Sequence, residues 1–282
     1  MSVVPAYESY QYMRVTSPAE YVAHVEINNP KRLNAFSQPV WLEYGRVFEQ
    51  ISVDAQFRVA VLSGVGDRAF TSGLDVKAAA GDSPLTTAEG DEVRRAKLLR
   101  NHIEEFQTSI SAMEKCEKPV IAVLHDVAIG LAIDIATCAD IRICAANTRF
   151  AVKEVDIGLA ADIGTLARLP KVVGSLSWVK DVCMTARDFG AAEALAQGFV
   201  SQVHADKAKA VEAGLGLATL LASKSPVAVQ GTKELLNYGK EHSVADSLRY
   251  TQVWNSVALQ GEDFVTAMMS SMQKKKPMFS KL

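Results

Sequence analysis

No stretch of this 282-residue sequence approaches the roughly 20 consecutive apolar residues that a membrane helix needs. Its start, MSVVPAYESY, has neither a secretory apolar core nor an arginine-rich presequence. A soluble chain is expected. Cysteine is scarce: Cys116, Cys138, Cys144 and Cys183 lack CxxC spacing and lie in apolar stretches, which fits small reduced hydrophobes in an intracellular setting. Charge of one sign is missing too. With 30 Lys and Arg against 32 Asp and Glu the formal net charge is −2 and the pI is near 6.2. No global field draws nucleic acid or anionic membrane, so an anionic ligand must be held by a local patch. The five histidines, His24, His102, His125, His204 and His242, are scattered without metal-ligand spacing, and no GxSxG elbow presents a serine. Metal and triad chemistry are not expected. Gly64-Val65-Gly66-Asp67-Arg68-Ala69 matches the loose dinucleotide fingerprint, but Phe70-Thr71-Ser72-Gly73 stands where a helix should open, and a turn is the better reading.

What is present is a hydrophobic content of 49%, enough for one large domain with a buried core. Tyr21 to Ile27, Val59 to Leu62 and Val120 to Leu124 read as strands, the last two as short buried ones. Ser37, Pro39, Trp41, Leu42, Val47, Phe48 and Ile51 have the order of a capped amphipathic helix, and Asp91 to Met113 reads as a longer one. Between them the polar stretch from Gly81 to Gly90 reads as a mobile loop. After Pro170 the pattern is almost wholly helical, over 175–184, 191–197, 206–222, 226–238, 243–259 and 262–273. Lys274-Lys275-Lys276 suits a solvated helix end or a phosphate contact. This gives a strand-and-helix core with a helical C-terminal portion.

Two tight turns and three acids stand out. Ala69 to Asp75 is a turn of small residues running into a helical pattern, which leaves amides near Leu74 free at a helix start. Gly130 precedes an apolar helix from Leu131 to Cys138. An anion fits either place, as does ordinary helix entry. Asp134, Glu154 and Asp162 are embedded among Ile133, Val155, Ile157, Leu159, Ala160 and Ala161. Carboxylates in apolar sequence suggest a lined pocket with raised pKa values. The plainer alternatives are that Asp162 caps a helix starting near Ile163 and that Glu154 pairs with Lys153.

The sequence resembles the crotonase, or enoyl-CoA hydratase/isomerase, superfamily over nearly its whole length. The marks are Asn29-Pro30-Lys31-Arg32-Leu33-Asn34-Ala35-Phe36, Ala69 to Asp75, His125 to Arg142, and Ala191 to Leu195 with Gly198 and Val200. Val152 to Thr165, followed by Arg168-Leu169-Pro170-Lys171, resembles the Δ3,5-Δ2,4-dienoyl-CoA isomerase branch, as do Ser223 to Gly231 and the terminal Phe279 to Leu282. The resemblance implies an α/β spiral of ββα units over residues 1–200. Residues 201–282 would form a helical region that drives trimers, usually stacked as hexamers, and completes the CoA pocket.

The same resemblance implies the chemistry. The backbone amides of Leu74 and Leu131 would hold the thioester oxygen, Asp162 would take the C2 proton, Glu154 would protonate C6, and Asp134 would support them. The outcome is isomerisation of a 3,5-dienoyl-CoA to a 2,4-dienoyl-CoA in β-oxidation. Lys31, Arg32, Asn34, Ser72, Gly73, Leu74, Asp75, Val76 and Leu131 would contact substrate or CoA. Leu131 stands where glycine is common, and its side chain is expected to narrow the pocket. No cofactor is implied beyond the CoA of the substrate, and no metal, nucleic acid or membrane insertion. A 2-enoyl-CoA hydratase is the alternative within the family, though hydratases carry a small residue at the position of Asp162. A noncatalytic crotonase relative that binds acyl-CoA or RNA is the alternative from a different functional class. Ser280-Lys281-Leu282 is the C-terminal tripeptide read by the peroxisomal import receptor, so the peroxisomal matrix is the expected compartment.

Overall fold

The computed structural model describes residues 2–81 and 90–282. Most of the stretch read as a mobile loop, residues 82–89, lies outside the described residues. The chain forms strands β1 (Met13–Ala19), β2 (Val22–Ile27), β3 (Val59–Gly64), β4 (Ala69–Thr71), β5 (Val120–Leu124), β6 (Val127–Ile129), β7 (Ile141–Ala145), β8 (Arg149–Ala151), β9 (Phe189–Gly190) and β10 (Gln202–His204). Its helices are α1 (Gln38–Val53), α2 (Val76–Ala79), α3 (Glu92–Lys115), α4 (Leu131–Cys138), α5 (Thr165–Val172), α6 (Leu176–Thr185), α7 (Ala191–Ala196), α8 (Lys207–Ala222), α9 (Pro226–Gly239), α10 (Val244–Ala258) and α11 (Glu262–Met272).

One sheet has the order β1-β2-β3-β5-β7-β10, and a smaller one has β4-β6-β8-β9. The first is parallel apart from the β1–β2 hairpin. Strands β2, β3 and β5 are buried at every residue; β5 is an unbroken apolar run, whereas β2 buries His24 on Ser63 of β3 (2.9 Å) and Glu26 on Arg14 of β1. Each turn of the chain lays a strand in the first sheet, one in the second, and then a helix: β3, β4, α2; β5, β6, α4; β7, β8, α5. This is the ββα spiral expected from the sequence.

The core fills the space between the sheets, α1, α3 and α4. Helix α1 buries Val40, Trp41, Tyr44, Val47, Phe48 and Ile51, the three-and-four spacing of one helical face. Trp41 stacks on Phe106 of α3 at a centroid distance of 4.6 Å. All eight residues of α4 are buried, so this helix runs through the interior. Helix starts follow the sequence signals: Asp91, Ser175, Asp206, Ser225 and Ser243 each accept a hydrogen bond from an amide of the first turn, an arrangement worth about 1 kcal/mol apiece. Ser37 precedes α1 without such a bond.

Three expectations change. The body of the fold does not stop at residue 200. Strand β10 completes the six-stranded sheet, and α8 seals its outer face through a second apolar cluster with Val22, Val59, Val61, Ile121, Val123 and Ile143. Pro170 lies inside α5, so the mainly helical portion opens at Thr165, before the proline, and not after it. The largely helical region after it also contains β9 and β10, which are too short to carry a strand signature. Beyond α8, helix α9 is tied down by Lys233, whose Nζ lies 2.9 Å from Asp140 and donates to the Lys118 carbonyl at 3.0 Å. Helices α10 and α11 bury no residue at all.

Candidate active site

The site begins with two turns that require glycine. Gly73 has φ +90°, and Gly130 has φ +55° with ψ −120°, conformations that side chains disfavour. At the first turn the Gly73 amide donates to Thr71 Oγ1 (3.0 Å) and the Asp75 amide to the Phe36 carbonyl (2.8 Å). The amide of Leu74, between them, has no hydrogen-bond partner among the described residues. At the second turn the Gly130 amide donates to the Ala151 carbonyl (2.8 Å), and the Leu131 amide, at the first residue of α4, is likewise unpartnered. The two turns touch. A Cβ on Gly73 would stand 2.9 Å from the Ile129 oxygen and 3.4 Å from the Leu131 nitrogen. Two free amides from adjacent turns are suited to holding one developing oxyanion. The Leu131 side chain packs in the main core cluster.

Glu154 lies beside this pair and links the other two acids. Asp134, on the first turn of α4, is 1% exposed and accepts from both the amide (2.6 Å) and the hydroxyl (2.8 Å) of Thr165. Burial pushes its carboxyl up and the charge of Glu154 adds to this, against the bonds from Thr165, leaving it at about 7. Glu154 opens the short 3-10 turn Glu154–Ile157 after β8. Its Oε1 lies 3.7 Å from where a Cβ on Gly130 would stand, and its Oε2 is buried without a partner. Burial raises the Glu154 carboxyl; backbone amides at 153 and 154 pull it down, and the negative charge of Asp162 raises it further. The acids are therefore in electrostatic contact in the order Asp134, Glu154, Asp162.

The plainer alternatives for these acids do not hold. Lys153 pairs with Asp188 (3.1 Å) and Asp156 (3.6 Å), leaving Glu154 aside. Asp162 does not cap a helix: α5 starts at Thr165, and Asp134 receives that amide. The expected apolar enclosure holds for Asp134 and Glu154 only. Asp162 is exposed in the single chain, at the mouth of a cavity of about 380 Å³ shared with Gln107, Thr137, Arg168 and Lys240.

The residues expected to meet substrate or CoA divide into two groups. Lys31, Arg32 and Val76 are exposed, and Ser72 and Leu74 are half-buried. Asp75 caps α2 through the Ala78 amide (3.1 Å) and pairs with Arg32. Burial raises the Asp75 carboxyl, but the Arg32 and Ala78 bonds outweigh it and hold it below its ordinary value. Asn34 is internal. Its Nδ2 donates to the carbonyls of Val65 (3.0 Å) and Ala69 (2.9 Å), its Oδ1 accepts the Asn29 amide (2.9 Å), and its own carbonyl accepts Thr71 Oγ1 (2.7 Å). With every polar group engaged, Asn34 braces the turn that carries Leu74 and offers nothing to a ligand.

Two supporting residues escaped the sequence reading. Thr165 holds Asp134, and Gln107 of α3 donates to the Asp162 carbonyl, so the loop between them is pinned from two helices. No local pattern marks either residue, because their partners lie 31 and 55 positions away.

A spiral of ββα turns with a pair of open helix entries at its centre defines a crotonase-like α/β fold. The chain belongs to the enoyl-CoA hydratase/isomerase family, whose model matches residues 18–281. It is 45% identical over 268 residues to the human protein called Delta(3,5)-Delta(2,4)-dienoyl-CoA isomerase, mitochondrial, covering 95% of this chain and 81% of that one. It is 36% identical over 277 residues to the Arabidopsis thaliana protein called Delta(3,5)-Delta(2,4)-dienoyl-CoA isomerase, peroxisomal, covering 98% and 99%. The crystal structure of an enoyl-CoA hydratase from Bacillus anthracis superposes with a TM-score of 0.86 at 24% identity, over 95% of this chain and 99% of that one, a likeness of fold.

Proposed function

We propose that the protein isomerises 3,5-dienoyl-CoA to 2,4-dienoyl-CoA in the oxidation of unsaturated fatty acids, using no cofactor beyond the CoA of its substrate. The names of the relatives support the reaction. The observation that carries it in this chain is the Glu154 carboxyl, with Oε2 buried and unpartnered and Oε1 3.7 Å from where a Cβ on Gly130 would stand, at the turn that precedes the open Leu131 amide, and with the charge of Asp162 acting on it.

The thioester oxygen accepts from the amides of Leu74 and Leu131, and losing one such donor typically costs ~3 kcal/mol of transition-state stabilisation. The carbon next to the thioester is C2, so the closeness of Glu154 to Gly130 supports giving Glu154 the C2 proton. That reverses the order expected from sequence. The C2–H bond breaks, its proton passes to the Glu154 carboxylate, and the electron pair spreads through the dienolate. Asp162, reached further along the acyl chain, gives its carboxyl proton to C6, which leaves the double bonds at positions 2 and 4. Glu154 then releases its proton, and Asp162 regains one from the solvent it faces. Raised carboxyl values make Glu154 a better base for a carbon acid than an ordinary glutamate. Asp134 orients the 162–165 loop through Thr165 and sets the charge balance.

Lys31 and Arg32 supply local positive charge for CoA phosphates, and the Ser72 to Val76 turn lies against the pantetheine. Residues after α8 form the assembly region: α10 and α11 expose Leu248, Val253, Val257, Val265, Met268 and Met269, an apolar surface suited to a trimer that stacks as a hexamer. The terminal Ser280-Lys281-Leu282 supports delivery to the peroxisomal matrix.

The test is to incubate the purified protein with 3,5-dienoyl-CoA and 2-enoyl-CoA in parallel. Appearance of the 2,4-diene is the expected result; rapid hydration of the enoyl-CoA with no diene shift would overturn the reading in favour of a hydratase.

A further inference from the structure

Arg58, the residue before β3, joins three parts of the chain that are distant in sequence. It is 7% exposed. Its guanidinium lies over the Tyr21 ring, 3.9 Å from the centroid, and its own amide donates to the Tyr21 carbonyl at 2.8 Å. Tyr21 is itself held at φ +62°, so the hairpin turn that carries it is set to present the ring. On this platform Arg58 Nη1 donates to the Ala222 carbonyl at the end of α8 (3.0 Å). Nη2 donates to the carbonyls of Phe279 (2.7 Å) and Ser280 (3.0 Å). The tail leaves α11 through Lys274 at φ +54° and returns to the body only to be caught there. Past the clamp, Lys281 and Leu282 are exposed, and Leu282 retains 58% of its accessible surface.

We propose that Arg58 and the peroxisomal import receptor compete for the same segment, so that the receptor reads Ser280-Lys281-Leu282 only after the tail has left Arg58. This rests on the proposed reading of that tripeptide as an address. Two arguments carry the competition. The first is satisfaction of the backbone: a groove that encloses the tripeptide must bond its polar groups, and the Ser280 carbonyl cannot serve both the groove and Arg58. The second is reach. Beyond the last clamped carbonyl only two residues remain, about 7 Å of extended chain, whereas a groove enclosing three residues needs about 10 Å. The clamped state is closed to the receptor, and apparent affinity falls by the fraction of chains whose tail is free.

The experiment measures binding of the full-length protein to the isolated tripeptide-reading domain of the import receptor, for example by fluorescence anisotropy. Arg58→Ala is one variant. Because Arg58 also closes the end of α8, a second variant leaves the body untouched and inserts a short Gly-Ser spacer between Phe279 and Ser280. Both are expected to bind about tenfold more tightly than the unmodified chain, and combining them should add nothing further. A chain lacking Leu282 should not bind. Equal affinity of the unmodified and spacer chains overturns the competition while leaving the address intact. Absence of binding by every chain, spacer variant included, overturns the address and the competition with it.

Discussion

At the scale of single residues, the acids were legible because carboxylates rarely sit in apolar sequence without a purpose. Their partners were not. Glu154→Gln removes the proposed base at C2 and is expected to lower kcat by about 10²- to 10⁴-fold, with the fold intact by circular dichroism. Asp162→Asn should abolish formation of the 2,4-diene, and near-normal turnover in that variant would sink the assignment. Asp134 makes a prediction about stability. Its carboxyl stands at about 7 in the folded chain against an ordinary value of 3.8, so between those values the native state holds a proton that the unfolded chain has released. Stability from this group is present below the lower value and is lost as pH rises through the upper one, by an amount on the order of a few kcal/mol. Denaturant midpoints should therefore fall between pH 5 and pH 8, and Asp134→Asn should flatten that fall. The exposure of Asp162 was beyond the sequence reading, because its neighbours Ala161 and Ile163 turn inward while it turns out.

At the scale of elements, sequence patterns found the long and capped helices and three buried strands, but missed β1 and β7, of seven and five residues. The α4 span was predicted to the residue, and five capped helix starts were found within a residue or two. Strands β4, β6, β8, β9 and β10 have two or three residues each, fewer than a periodicity needs to declare itself, so half of the spiral was invisible. The two entry turns are the elements on which chemistry depends. Gly73→Ala would place a methyl 2.9 Å from the Ile129 oxygen and add strain at φ +90°, prising apart the turns that present Leu74 and Leu131. The expected outcome is a loss of about 10²-fold in kcat with a smaller change in KM, as for removal of one oxyanion donor. Steady-state kinetics with a dienoyl-CoA measures it.

At the scale of the whole molecule, the C-terminal helices expose the apolar residues on which the proposed assembly depends. Replacing Val257 and Met268 with Glu should turn the proposed assembly into single chains by analytical ultracentrifugation, with helical content unchanged. An unaltered sedimentation coefficient would move the assembly surface elsewhere. The family fold was legible from motifs, but its boundary was not: the resemblance implied a core ending at residue 200, whereas the sheet still needs β10 and α8. In both sheets the strands stand side by side in the order in which they occur in the chain. During synthesis, each new strand emerging from the ribosome after the first finds its template edge already made. The molecule can be wound from its N-terminal end without threading any segment through a finished part, and the site is closed when Thr165 arrives to take hold of Asp134.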